Sequence, residues 1–199
     1  MYYNGAEEDQ SPTPRPDGGE SPWERAEQYG LELGLVAADR WRKTETARDT
    51  AFDFHLETIR LPERRAHPDF MSTGGKEYGL SQTTVGVLLS TMFPSETTSG
   101  SIRLGSLVIV GIPGEMAAGL GLRIKSETKA ATGAQHAVIG GLANEWISYI
   151  LTADSYIRGS GYEASMSFYG PELGDRLTKA AIAGAAHLGP AKLVQEPEK

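Results

Sequence analysis

The clearest periodic pattern of apolar and polar residues lies near the amino terminus and is helical. Ser21-Pro22-Trp23-Glu24 offers a helix start, with serine as the cap, proline at the first helical position and glutamate three residues after the cap. Small and apolar residues then recur every three or four positions, with charged residues between them. They are Trp23, Ala26, Gly30, Leu33, Ala37 and Trp41. This pattern predicts an amphipathic helix from about Pro22 to Lys43.

The next pattern has a period of two, which is typical of a strand. Between residues 51 and 61, apolar side chains alternate with polar ones from Phe52 to Leu56. The apolar positions then shift by one, beginning at Ile59, which predicts a β-bulge near Thr58. The polar positions, His55 among them, are interpreted as one polar face of the strand.

A second strand signal is a pair of apolar runs that a glycine-first dipeptide separates. Ile102 and Leu104 precede Gly105-Ser106, and the run from Leu107 to Ile112 follows it. This order predicts a β-hairpin with a tight type II′ turn.

Two further helices are expected in the second half of the chain. Met116–Thr132 carries apolar residues at helical spacing, and Gly133 is a natural stop. Gly170-Pro171 begins another helix, which ends near Leu188. Upstream, the short apolar run Val85–Leu89 fits either a strand or a helix.

Two extended segments complete the pattern. His136–Leu142 is so apolar that we expect it at the centre of a sheet, and Glu163–Phe168 is expected to be a short extended stretch. The order helix, strand, hairpin, helix, strand, helix predicts an α/β protein with a mixed sheet on which helices pack.

Composition and charge argue against several classes of protein. A chain of 199 residues with 39% hydrophobic residues suits one globular domain with a real core. Its formal net charge of −7 argues against a nucleic-acid partner, whose binders concentrate lysine and arginine. The absence of cysteine excludes a disulfide framework and a thiolate site. The first residues, Met-Tyr-Tyr-Asn-Gly, do not have the pattern of a signal peptide, and no apolar run approaches the roughly 20 residues that a transmembrane helix needs.

Candidate chemistry concentrates between Gly111 and Tyr162, where two apolar strand runs end. Glu115 follows the first run, at the place where open α/β sheets position their sites. Tyr149, Tyr156 and Tyr162 follow the second run, so the two strand ends are predicted to bring Glu115 and several tyrosines to one cleft. Taken alone, these residues also fit simpler interpretations: a carboxylate favoured by a helix dipole, and packing aromatics with satisfied hydroxyls.

Other functional motifs are weak or absent. The sequence contains no G-x-S-x-G elbow, H-E-x-x-H helix or phosphate-binding P-loop. Residues 159–164 fit a dinucleotide-binding pattern by letter, but no clear strand precedes them, so we do not expect nucleotide binding. By composition alone, residues 4–20 are predicted to form a flexible tail.

Three motifs, in order, resemble the neutral/alkaline ceramidase family. Asn4–Pro12 is similar to the family's N-x-x-x-G-D-x-S-P loop, with Glu8 where glycine is usual. Pro113-Gly114-Glu115 is similar to its P-G-E turn. Asn144–Glu163 is similar to its N-x-Y-x-x-Y-V-T-T-x-E-E-Y…Y-E segment, with Trp146 at an aromatic position. Together the motifs span nearly the whole chain.

The resemblance implies a zinc-dependent amide hydrolase that cleaves the N-acyl bond of ceramide or a related N-acyl lipid. On that basis Glu115 and Tyr149 are two of four zinc ligands, and Tyr162 hydrogen-bonds the oxygen on which charge develops. Ser11 contacts or attacks the substrate at its polar head. A carboxylate and a phenolate are hard oxygen ligands, and zinc would lower the tyrosine's pKa of about 10. Such a substrate is compatible with peripheral membrane contact, and the family suggests a secreted or periplasmic location.

The chain departs from the family in its histidines. The family's other two zinc ligands and its general base come from a His-x-His segment and a further histidine in the first half of the domain. The histidines here are His55, His67, His136 and His187, and none has that spacing.

We therefore expect an active-site-type loop at residues 1–20, the second half of a ceramidase-like catalytic domain at residues 21–190 and a tail at residues 191–199. An amino-terminal half-domain or partner chain would supply the two missing histidine ligands. Alone, the chain is expected neither to hold zinc tightly nor to hydrolyse ceramide. The alternative is a catalytically inactive relative that binds a lipid or a partner chain.

Overall fold

A computed structural model describes residues 3–12, 21–46, 50–159 and 161–190. The chain divides into two compact units. The first comprises residues 1–10 together with residues 51–199, and the second comprises residues 11–50. Within the described ranges, no helix is both long and apolar enough to cross a bilayer.

The second unit contains one long helix, α1, which runs from Pro22 to Lys43 as predicted. Ser21 Oγ accepts a hydrogen bond from Glu24 N (3.2 Å), and the Glu24 carboxylate accepts one from Ser21 N (2.8 Å). These two bonds form the expected capping box. No residue of α1 is buried, and Trp23 and Trp41 are 84% and 79% exposed. The helix therefore owes its bounds to local capping rather than to a buried apolar face.

Within the described residues, the first unit contains six strands and six α-helices. The strands are β1 (Phe52–Arg60), β2 (Glu96–Leu104), β3 (Leu107–Gly111), β4 (Glu115–Met116), β5 (His136–Gly140) and β6 (Tyr149–Ile150). The helices are α2 (Pro68–Phe70), α3 (Gln82–Met92), α4 (Ala118–Thr132), α5 (Ala153–Arg158), α6 (Tyr162–Ser165) and α7 (Leu173–Ala186). A π-helical turn, Met71–Gly75, follows α2.

The strands form two sheets. The larger has the order β1-β2-β3-β5, in which only β3 and β5 pair in parallel, and the smaller is the parallel pair β4-β6. The predicted hairpin is present, because β2 and β3 pair with Leu104 opposite Leu107 and Gly105 turns with a φ of 58°. The fold is thus the expected α/β arrangement with a mixed sheet.

One face of the large sheet carries the core. Val108, Val110 and Ile139 point to this face and pack with α4 and α7, which contribute Ile124 and Leu177. The opposite face carries apolar side chains that remain between 39% and 64% exposed. They are Phe52, Phe54, Leu56, Ile102 and Leu104.

The predicted bulge in β1 is wrong. The strand pairs with β2 residue by residue from Phe52–Leu104 to Arg60–Glu96, without an extra residue near Thr58. The apolar positions shift because the two halves of β1 carry apolar residues on opposite faces. The apolar residues of the first half lie on the exposed face, whereas Ile59 in the second half is buried on the core face.

The predicted central position of the strand that begins at His136 is also wrong, because β5 lies at an edge of the described sheet. Its apolar residues have a different cause, since Ala137 and Ile139 are buried on the core face. Beyond the carboxyl end of β5, the amino-terminal segment is tied to the next residue, where Gly141 N donates to Asn4 O (2.8 Å).

Two short segments had ambiguous or misleading patterns. The run Val85–Leu89 belongs to α3, which Ser81 caps. Residues 163–168 are not extended, because α6 covers Tyr162–Ser165 and Met166 N donates to Tyr162 O (3.1 Å). Gly161, with a φ of 81°, starts this turn and so overrides the strand-like alternation that follows.

Candidate functional site

The two strand ends that the sequence singled out meet in the small sheet. Glu115 of β4 and Tyr149 of β6 are register partners in a parallel pair. Glu115 N donates to Ser148 O (3.2 Å), and Ala117 N donates to Ile150 O (3.0 Å). Because directly opposed residues project to the same face of a sheet, the carboxylate and the phenol lie side by side.

The glycine before Glu115 makes this pairing possible. A Cβ atom on Gly114 would lie 2.5 Å from Ser148 O and 3.0 Å from the Ile150 Cδ1 atom. The turn is otherwise fixed by its backbone, since Ile147 N donates to Pro113 O (2.8 Å). Only glycine therefore lets β4 approach β6 closely enough to pair.

Tyr162 joins the pair from the first turn of α6. Its ring lies edge-on to that of Tyr149, with centroids 5.9 Å apart and an interplanar angle of 79°. Ser167 Oγ donates to Tyr149 O (2.9 Å), and Ser148 Oγ donates to Met166 O, so the segment after α6 is tied to β6. Tyr162 remains 63% exposed, and its hydroxyl is therefore accessible to a ligand.

The loop between β5 and β6 contributes an unpredicted contact. Trp146 Nε1 donates to the Glu115 Oε1 atom (3.2 Å), which fixes one carboxylate oxygen. Leu142, Asn144 and Ser148 in this loop have φ values of 55°, 72° and 80°. Such conformations cost about 1–3 kcal/mol each outside glycine and persist where surrounding contacts hold them. The aromatic residue in the motif was visible in the sequence, but its bond to Glu115 was not.

The amino-terminal segment packs against the same end of the fold. Glu8 N donates to Met116 O (3.2 Å), and Ala118 N donates to the Asp9 Oδ1 atom (2.7 Å), so Asp9 satisfies the start of α4. A Cβ atom on Gly121 would lie 2.4 Å from the Ala6 Cβ atom, which shows how closely the segment approaches α4. The composition-based prediction of a flexible tail is therefore wrong for residues 4–10.

Ser11 begins the other compact unit and is exposed. Its contact with substrate remains a prediction. Residues 1–2 and 13–20 of the predicted loop lie outside the described residues.

Carboxylates surround the Glu115–Tyr149 pair. Burial, followed by the negative charges of Asp9, Glu163 and Glu115, raises the pKa of Glu8 from 4.5 to about 7. Burial also raises the pKa of Tyr149, and Glu115 adds to this increase by its charge and by a hydrogen bond with the phenol. All the charged groups that act on Glu8 and Tyr149 are acidic. The sequence did not reveal Glu8 and Glu163 as members of this acidic cluster.

None of the four histidines lies with this cluster. His67 uses both ring nitrogens, because Nε2 donates to Tyr156 O (2.9 Å) and Nδ1 accepts from Asp69 N (3.1 Å). His136 begins β5, so it lies roughly 13 Å along the strand from the carboxyl end that faces the cluster. His55 and His187 stack on each other near the end of α7.

Tyr156 is more buried than Tyr149, which is partly buried, and Tyr162, which is exposed. It is only 7% exposed and packs edge-on against His67, with ring centroids 4.6 Å apart. Burial raises the pKa of its hydroxyl. The simpler interpretation, a packing aromatic, therefore describes Tyr156, and Glu115, Tyr149 and Tyr162 form the candidate site.

The donor set suits a divalent cation. Glu115 and Tyr149 would hold it through one carboxylate and one phenolate oxygen, both of which are ligands for hard or borderline metals. A cation would offset the mutual repulsion of the surrounding carboxylates. The residues present therefore fit a metal ion at this position.

Comparisons with known proteins agree with the motifs. The sequence profile described as neutral/alkaline non-lysosomal ceramidase, N-terminal, matches residues 83–178. The neutral ceramidase of Pseudomonas aeruginosa is 36% identical over 72 residues, which are 35% of this chain and 11% of that protein. The neutral ceramidase of Drosophila pseudoobscura pseudoobscura is 28% identical over 134 residues, which are 57% of this chain and 19% of that protein. The chain thus spans a minor part of these relatives.

The fold agrees with the sequence matches. The crystal structure of the neutral ceramidase from Pseudomonas aeruginosa superposes with a TM-score of 0.70 at 18% identity, covering 99% of this chain and 39% of that one. The matched region, residues 83–178, contains Glu115, Tyr149 and Tyr162. Residues 83–178 therefore resemble the neutral/alkaline non-lysosomal ceramidase family in sequence, and the chain shares its fold with a neutral ceramidase.

Proposed function

We propose that this chain supplies the acid-and-tyrosine part of a zinc-dependent hydrolase centre that cleaves the N-acyl bond of ceramide or a related N-acyl lipid. The observation that carries the proposal is the register pair of Glu115 and Tyr149, which places a carboxylate and a phenol together within a cluster of acids. The similarity of residues 83–178 to the ceramidase family supports the choice of an amide bond.

Glu115 and Tyr149 are the two proposed zinc ligands. Zinc, when bound, would polarise the amide carbonyl and lower the pKa of a water molecule to about 7. Trp146 holds one oxygen of Glu115 by its indole N–H, which limits the rotation of the carboxylate. Tyr149 must lose its proton to act as a ligand, and its raised pKa means that this step depends on a cation.

Tyr162 is the proposed donor to the oxygen on which charge develops. The exposure of Tyr162 and the edge-on contact of its ring with Tyr149 support this role. A preorganised donor of this kind contributes about 3–4 kcal/mol to transition-state stabilisation in enzymes where it has been removed. Ser11 is proposed to contact the polar head of the substrate.

The two remaining zinc ligands are proposed to be histidines from another segment of the family's domain. His67 cannot serve because both its ring nitrogens are engaged, and His136 lies at the far end of β5. The proposed centre is therefore completed by residues other than these two.

Zinc affinity tests the ligand assignment directly. In the chain completed with the family's His-x-His segment, competition with a chelator should show that Glu115→Gln and Tyr149→Phe each weaken zinc binding by at least about 10-fold, the loss expected even for a residue that only supports a ligand. The control is Glu127→Gln, which removes a carboxylate on α4 that pairs with Arg123 (2.7 Å).

Activity tests the reaction. Addition of the family's His-x-His segment to the chain should yield zinc-dependent release of fatty acid from an N-acyl sphingosine. If Glu115→Gln and Tyr149→Phe bind zinc as tightly as Glu127→Gln, the proposed centre is wrong. If they bind weakly but the completed protein hydrolyses no amide, the chain is the inactive lipid- or partner-binding relative.

A further inference from the structure

A second cluster of metal-ligating side chains lies at the other end of α7. His55 Nε2 is 3.1 Å from the Glu57 Oε2 atom, and the His55 ring stacks on that of His187 with centroids 4.2 Å apart and planes at 17°. One ligand atom from each of the three residues lies within 4.8 Å of the others. His55 and Glu57 are half-buried, and His187 is exposed.

The fold brings these residues together from distant parts of the sequence. His55 and Glu57 are two positions apart on β1 and therefore face the same side, which is the side on which α7 packs. His187 is the residue at which α7 ends. A Cβ atom on Gly184 would lie 2.9 Å from the Glu57 Cβ atom, so this glycine allows the close approach of helix and strand.

This cluster is separate from the site at Glu115. Gly174, near the start of α7, abuts Leu151 just after β6, whereas Gly184 abuts Glu57. Ten residues of helix separate these two contacts by roughly 15 Å. His55 and His187 therefore cannot complete the proposed centre at Glu115 and Tyr149.

We propose that His55, Glu57 and His187 form a binding site for Zn²⁺ or a similar transition metal. Two imidazoles and one carboxylate are a common protein donor set for zinc, whereas calcium and magnesium prefer six or more oxygen atoms. Tetrahedral zinc with bonds of about 2.0–2.2 Å holds its ligand atoms roughly 3.4 Å apart. The three donors must turn to reach that spacing, and the exposed position of His187 leaves room for its ring to move out of the stack with His55.

Around the His55–Glu57–His187 cluster, the groups that attract a cation outnumber those that repel it. The carboxylate of Glu57 is a ligand, and the end of α7 presents backbone carbonyl oxygens, which attract positive charge. The groups across from β1 are Ser101 opposite His55 and Ser99 opposite Glu57, and neither carries charge. Among the described residues, Arg103 brings a positive charge to this end of α7, and its guanidinium donates to Thr132 O (3.0 Å) and Gly189 O (2.5 Å).

The proposed metal ion would join the carboxyl end of α7 to the edge strand β1. Because the three ligands come from two elements that are far apart in the sequence, binding would stabilise the folded chain over the unfolded one. The site is therefore expected to act on stability rather than on catalysis.

Titration of the full chain with Zn²⁺, and with Co²⁺ followed by its visible absorption, tests the proposal. Three variants should each weaken one binding event by at least about 10-fold: His55→Gln, Glu57→Gln and His187→Gln. The control is His136→Gln, which changes an exposed histidine on β5 and should leave binding unchanged. Circular dichroism of His187→Gln, which changes an exposed residue at a helix end, verifies that the fold is retained.

A double variant separates this site from the proposed catalytic centre. In Glu115→Gln/Tyr149→Phe, the titration should retain the binding event that His187→Gln weakens, and zinc should still raise the melting temperature. If the three cluster variants bind zinc and cobalt as the parent does, the proposal is wrong, and the cluster is a hydrogen-bonded and stacked group only. If binding is lost in the double variant alone, the proposed centre is supported and this second site is refuted.

Discussion

Replacement of Gly114 by alanine should separate Glu115 from Tyr149 and destabilise the fold. The new Cβ atom would lie 2.5 Å from Ser148 O, 3.0 Å from the Ile150 Cδ1 atom and 3.4 Å from the Ile147 Cγ1 atom. Ser148 O is the acceptor of the Glu115 N–H, so backbone movement away from the clash breaks a bond that sets the register of β4 on β6.

The magnitude follows from these contacts. Overpacking of a close contact costs about 1–3 kcal/mol, and loss of one hydrogen bond costs about 1 kcal/mol. Their sum, about 2–4 kcal/mol, should lower the melting temperature by roughly 4–16 °C in a chain of this size. The matched control is Gly119→Ala, in the first turn of α4, where a Cβ atom would have no neighbour within 4 Å. Alanine is the better helix residue, so this control should raise stability by about 0.5–1 kcal/mol.

Thermal denaturation followed by circular dichroism measures both changes, and a zinc titration of each variant measures the effect on the candidate site. Gly114→Ala should weaken zinc binding more than Gly119→Ala does. A melting temperature for Gly114→Ala equal to that of the parent would refute the reasoning, because it would show that the β4–β6 turn accommodates a side chain.

Three further changes should have distinct effects. Burial and neighbouring acids raise the pKa of Glu8 from 4.5 to about 7, so its contribution to stability is fully present below pH 4.5 and is lost as the pH rises through 7. Glu8→Gln should therefore melt at a higher temperature than the parent at pH 8 but not at pH 4. Equal melting temperatures at pH 8 would contradict this prediction. In the chain completed with the family's His-x-His segment, Tyr162→Phe should lower kcat by about 100-fold or more with little change in KM. A raised KM at constant kcat would show that Tyr162 does not donate to the oxygen on which charge develops. The apolar sheet face that includes Phe54, which is 59% exposed, is expected to promote self-association. Phe54→Ser should therefore reduce concentration-dependent association in analytical ultracentrifugation without lowering the melting temperature. Equal association of the variant and the parent would show that this face does not promote it.

Local signals predicted the elements whose bounds depend on nearby residues. The start of α1 followed from Ser21 and Glu24, which bond to each other, and the end of α4 followed from Gly133, which has a φ of 65°. Pairing partners are not encoded locally. For this reason the sequence predicted a strand at His136 but not its position at the edge, and predicted a bulge where β1 only changes its buried face.

The sequence predicted those residues of the candidate site that directly follow the end of a strand. A strand end followed by Pro113-Gly114 placed Glu115, and the second strand end placed Tyr149, and the two residues became register partners. The contact from Trp146 to Glu115 depends on a loop with three residues at positive φ. Such a conformation is set by tertiary contacts, so no local pattern indicated it.

The most direct test of the proposed centre is whether zinc removes the proton of Tyr149. The measurement is the ultraviolet difference spectrum of tyrosinate during a zinc titration at pH 7.5, in a His187→Gln background that disables the second cluster. Zinc ligation by Tyr149 predicts a tyrosinate signal well below the pKa of about 10 of a free tyrosine. This signal should be lost in Tyr149→Phe and retained in Tyr162→Phe. No tyrosinate signal at saturating zinc, or the same signal in Tyr149→Phe, would contradict the assignment of Glu115 and Tyr149 as a zinc-binding pair.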